Sequence, residues 1–106
     1  MAKYLLQVNY TVEGARGLLK EGGSKRRGVA QMLAESLGGR LESMYFAFGD
    51  TDCYIIADMP DNTSVAAITL ALAASGGLTA RTTVLLTPEE MDQASRKSPA
   101  YKPPGQ

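Results

Sequence analysis

The chain has 106 residues, 44% of them hydrophobic, and eleven basic side chains balance eleven acidic ones. This predicts one globular domain, excludes extensive disorder, and leaves no net field to attract nucleic acid or an anionic membrane. With no histidine and one cysteine, Cys53, the chain lacks an internal disulfide, a cysteine-rich metal site and the usual base near neutral pH, so no metal or other cofactor is expected.

Residues 3–11 alternate, with Tyr4, Leu6, Val8 and Tyr10 on one side, and predict a half-buried strand. Residues 12–21 read as a short helix weakened by Gly14 and Gly17. Ser24 is the expected cap of a second helix whose apolar stripe is Val29, Met32, Leu33 and Leu37. Residues 40–48 and 53–59 predict two strands joined by the tetrad Gly49-Asp50-Thr51-Asp52, with Gly49 supplying a positive φ. Pro60-Asp61-Asn62 ends the second of these strands and caps a helix over 63–75; residues 78–87 predict the last strand. Pro88-Glu89-Glu90 opens a short final helix, with acids at the positive end of its dipole. Gly22-Gly23, Gly38-Gly39 and Gly76-Gly77 each follow a helix, where a left-handed residue ends it.

The order βαββαβ predicts an α+β, ferredoxin-like fold: an antiparallel sheet with its helices on one face. One domain over residues 1–96 is expected, followed by a flexible tail over 97–106. The most apolar window, 65–74, falls far short of the ~20 residues that span a bilayer, and the first residues do not resemble a leader. A soluble cytoplasmic protein is the expectation.

If Gly49 and Asp52 flank the hairpin turn, Phe48 faces Cys53, Phe46 faces Ile55 and Met44 faces Ala57 on an apolar side under the helices. The opposite, open side then carries Gln7, Asn9, Ser43, Tyr45, Tyr54, Ile56, Asp58, Arg81, Thr83 and Leu85. Tyrosines and isoleucine among polar groups call for a cover, either a second sheet, a ligand, or both. The helix over 65–74 is apolar most of the way round and also predicts burial on more than one side. A homodimer follows as the expected assembly.

On the open side, Asn9, Tyr45, Asp52, Tyr54, Asp58 and Arg81 are the candidate ligand-binding residues, with Arg81 the expected partner of Asp58. Asp52 also reads as a turn residue that accepts backbone N–H groups. Cys53 falls on the helix side without a thiolate-stabilising cation in its sequence neighbourhood, so an inert core thiol is expected. Lys25-Arg26-Arg27 is a basic run at a helix start, read as a solvated face. Gly22-Gly23-Ser24-Lys25 lacks the spacing of a phosphate-binding loop.

The hairpin Tyr45-Phe46-Ala47-Phe48-Gly49-Asp50-Thr51-Asp52, the later Asp58-Met59-Pro60-Asp61 and the Thr-rich final strand resemble the GYD domain family, a small bacterial group. The resemblance covers residues 3–92 and implies a relation to the dimeric α/β-barrel superfamily. At the family's Gly-x-Tyr-Asp signature this chain keeps Gly49 and Asp52 but has Thr51 in place of tyrosine. Arg27 matches an arginine that members share at the start of the long helix. The family resemblance implies a fold and no reaction. Composition and patterning leave three classes open: a homodimeric barrel that binds a small organic ligand in a sensory or accessory role; a cofactor-independent oxygenase or isomerase using Asn9, Tyr45, Asp58 and Arg81; and a structural oligomeriser. None involves nucleic acid or a membrane.

Overall fold

A computed structural model describes residues 1–106 and gives eight elements. In β1 (Ala2–Tyr10), Tyr4, Leu6 and Val8 are buried and their neighbours partly exposed, the period-two pattern of a strand covered on one face. Helix α1 (Val12–Glu21) starts at Thr11, whose hydroxyl accepts the Gly14 N–H at 3.2 Å. Next come α2 (Gly23–Ser36), β2 (Arg40–Phe46), β3 (Cys53–Met59), α3 (Asn62–Ser75), β4 (Leu78–Leu85) and α4 (Pro88–Ser95). The first glycine of each pair takes the positive φ expected of it: 85° at Gly22, 83° at Gly38 and 78° at Gly76. Ser24 is not the cap of α2. The helix begins one residue earlier, because Gly22 both ends α1 and starts α2, so no side chain caps α2.

The sheet order is β2-β3-β1-β4 with every neighbour antiparallel, and the fold is ferredoxin-like α+β. The hairpin register differs from expectation by two residues: Met44 faces Ile55, Tyr45 faces Tyr54 and Phe46 faces Cys53. The loop is therefore residues 47–52, closed by Ala47 N–H to Asp52 C=O at 2.9 Å. A two-residue shift preserves the pleat, so the residues that stay in β2 and β3 keep their expected faces. Phe48 does not, because it falls in the loop and is fully exposed instead of lying under the helices opposite Cys53. Gly49 has no positive φ, and an added Cβ would meet nothing within 4 Å, so the conformational role expected of it is absent. Spreading the reversal over six residues removes the need for a left-handed one.

A bulge between Leu41 and Ser43 adds one residue to β2. Beyond it, Leu41 joins Ala57 on the helix side and Arg40 comes opposite Asp58 on the open side. The core lies between sheet and helices in two separate clusters. One holds Tyr4, Leu6, Ala34, Ala57, Met59, Val65 and Ile68, and the other Val8, Cys53 and Leu78. Helix α3 buries Val65 and Ile68 toward the sheet, while Leu70 on its outer side is 71% exposed.

Candidate functional site

Strand register sets the open face out in rows. The first runs across all four strands as Tyr45, Tyr54, Gln7 and Arg81. The second is Ser43, Ile56, Leu5 and Thr83, and the third begins with Arg40, Asp58, Lys3 and ends at Leu85. Pleating forces this grouping, since residues two apart on a strand share a face and lie about 7 Å apart.

Above the first row the hairpin loop folds back over the end of β1. Asp52 donates its N–H to Val8 C=O and Asn9 Oδ1, both at 3.0 Å, and its Oδ2 accepts the Tyr10 N–H at 2.9 Å. This places Thr51 against the sheet, 3% exposed, where its Oγ1 accepts from Arg81 at 3.0 Å and Gln7 at 3.4 Å. Asp52 and Asn9 thus position Thr51, and Thr51 positions Arg81. The Arg81 guanidinium has no carboxylate within 4.0 Å. In the same row, Tyr54 lies two strands from Arg81 and is 39% exposed, and Tyr45 lies three strands away on the opposite edge and is 72% exposed.

The third row is closed on itself. Lys3 bonds to Glu42 and, at 2.9 Å, to Asp58, whose other oxygen accepts from Arg40 at 3.0 Å. Asp58 is therefore not the partner of Arg81. Four residues of strand, ~13 Å, separate its row from that of Tyr54, and the bulge delivers Arg40 to it instead. The Lys3 and Arg40 hydrogen bonds hold the Asp58 carboxyl below its usual range, and bonding to Glu42 and Asp58 raises Lys3.

Of the six candidates, Tyr45, Tyr54 and Arg81 share one row, Asn9 and Asp52 brace its end, and Asp58 stands apart. Thr51 and Gln7 were not among them. Thr51 could be found only through the loop that folds it inward, and nothing in local sequence announces that. Cys53 is fully buried on the other face, where burial pushes its thiol up to about 11, against the smaller opposing effect of Arg26. No group of three or more histidine, cysteine, aspartate or glutamate residues is placed to hold a metal ion, and no helix is long and apolar enough to cross a membrane.

Comparison with known families finds one match, to the family described as GYD domain, over residues 4–95. No curated protein and no solved structure matches the chain. The chain belongs to the GYD domain family, with Thr51 rather than tyrosine inside the signature segment.

Proposed function

We propose that this GYD-domain chain works as a homodimer that encloses a small anionic organic ligand between two open sheet faces, in a sensory or accessory role. The observation that carries this reading is the Arg81 guanidinium, fixed by Thr51 in a row with two exposed tyrosines and left without an acid. A held cation at one end of a row that carries flat apolar surfaces at the other suits a carboxylate or phosphate on an extended unsaturated or aromatic body.

Dimerisation supplies the enclosure. Leu5 and Ile56 in the second row, with Leu85 in the third, give the face an apolar centre that a second sheet would remove from water. The C-terminal segment asks for a partner as well. Residues 88–106 are exposed throughout, and the radius of gyration is 16.9 Å, against ~13 Å for a compact domain of this length. An eight-residue helix such as α4 is marginal by itself even with its Thr87–Glu90 capping box, and a second subunit offers it a surface.

The enzyme alternative loses its intended base. Asp58 is neutralised by Lys3 and Arg40, titrates low rather than high, and lies away from Arg81.

Native mass spectrometry of protein purified without refolding tests the proposal. The expected result is a dimer carrying a stoichiometric small mass, lost on denaturation and absent from an Arg81→Gln dimer. A monomer, or a wild-type dimer at its bare mass, overturns it.

A further inference from the structure

A second feature lies on the opposite side of the sheet, between the two core clusters. There α2, α3 and the sheet leave a cavity of about 70 Å³ whose lining is apolar except for Arg26. Leu6, Ala34 and Ile68 face it from one cluster and Val8 and Leu78 from the other, so the void lies between the two clusters, against both of which Ile55 and Leu72 pack. A gap of this kind forfeits dispersion contacts around its whole lining, and close-packed interiors rarely keep one.

Arg26 makes the gap more than a packing fault. It sits in the first turns of α2, partly buried, and has no carboxylate within 4.0 Å. The nearby acids are already engaged: Glu21 with Lys25 at 3.7 Å, and Asp52 with the Tyr10 N–H. The Tyr10 side chain lines the same cavity as Arg26. An arginine and a tyrosine thus both belong to the lining of an otherwise apolar hole. A cation in such a lining is stabilised by an anion that it can hydrogen-bond.

We propose that this cavity binds a short aliphatic carboxylate, its hydrocarbon end between α2 and the sheet and its carboxylate on Arg26 and Tyr10. Size sets the class. The volume is about half of the ~150 Å³ that admits benzene, so a short branched chain fits and a ring does not. The basic run Lys25-Arg26-Arg27 then divides: Arg26 turns inward to the site, while Lys25 and Arg27 stay exposed. This site is separate from the open face and does not depend on the reading given to that face.

Methyl-detected NMR of the full chain with 3-methylbutanoate tests the proposal, with 3-methylbutan-1-ol as its uncharged counterpart. Saturable shifts are expected at Leu33, Ile55, Val65 and Ile68, with the alcohol binding at least about tenfold more weakly, the loss of one charge-assisted hydrogen bond. Arg26→Gln should reduce the acid to the affinity of the alcohol. Ala34→Leu, which fills the hole, should abolish the shifts; Ala30→Val does the same by a milder route if the larger side chain prevents folding. Absence of shifts with 3-methylbutanoate, equal binding of acid and alcohol, acid binding that survives Arg26→Gln, or shifts that persist in the filled variants would each overturn the assignment.

Discussion

The two ends of the sheet are held together by different chemistry. Where β1 ends and β4 begins, the ties are neutral. Thr11 donates its N–H to Gly77 C=O at 3.1 Å and its hydroxyl to Gly76 C=O at 2.8 Å, and Thr51 receives Gln7 and Arg81. Where β1 begins and β3 ends, the ties are ionic, among Lys3, Glu42, Asp58 and Arg40. The ionic end carries two positive and two negative side chains and is balanced. The neutral end binds the Arg81 guanidinium to the Thr51 hydroxyl and the Asp52 carboxylate to the Tyr10 N–H, so its cation and its anion are each tied to a neutral group rather than to one another. One end of the sheet pairs its charges directly, and the other keeps them apart.

The largest effect should come from breaking the neutral end at its backbone. A Cβ added to Gly14 would lie 1.7 Å from the Gly77 carbonyl oxygen. No side-chain rotation relieves a clash with a backbone atom, so α1 must move off β4 and lose the Thr11 bonds to Gly76 and Gly77. Gly14→Ala should destabilise the chain by about 3 kcal/mol, although alanine is the better helix former. Chemical denaturation against wild type checks this, and an unchanged midpoint would show that the two elements are not locked.

A smaller effect should come from Thr51→Val, which keeps the shape and removes the acceptor shared by Gln7 and Arg81. Arg81 is exposed and water can replace the lost bond, so about 1 kcal/mol is expected. Because the pairing involves no second ion, the loss should be the same in low and high salt. A loss that shrinks with added salt would mean that the neutral end is held electrostatically after all.

These features differ in how far the sequence reveals them. Element order, the glycine stops and the face of each strand residue follow from local rules: period-two alternation, helix termination and a cap at Asp61 that the structure confirms, its side chain accepting the Ser64 N–H at 2.8 Å. Within the strands, face assignment survived an incorrect register because an error of two residues does not alter parity, whereas Phe48, expected under the helices, is exposed in the loop. Partner assignment did not. Asp58 meets Lys3 across the β1–β3 ladder and Arg40 through a bulge, and neither long-range register nor a bulge is written in nearby residues. Gly14 looked like a weak point in a helix, and its reason is a carbonyl 63 positions away. Thr51 looked like a departure from a signature, and it is the buried hydroxyl on which Arg81 rests. Residues that act through distant neighbours read as ordinary or as exceptions until the neighbours are known.

The smallest effect should come from the ionic end, and its pH and salt dependence distinguishes it from the other two. Asp58 is only 13% exposed, but Lys3 and Arg40 reach it from solvent, so Asp58→Asn should cost about 1 kcal/mol or less near neutral pH. Asp58 titrates lower in the folded chain than its ordinary 3.8, first because Lys3 and then because Arg40 bonds to the carboxylate. Its contribution is therefore complete above pH 3.8 and declines as pH falls through the folded value, because protonation removes the charge that both cations share. Lys3 acts in the opposite range: it is raised above 10.5, so its contribution holds below that value and disappears as pH rises through the folded one. Unfolding curves of wild type and Asp58→Asn should accordingly differ at neutral pH and converge in acid, and added salt should narrow the neutral difference. If the two curves stay equally far apart into acid or into high salt, Asp58 holds the sheet end by shape rather than by charge, and the contrast between the two ends fails.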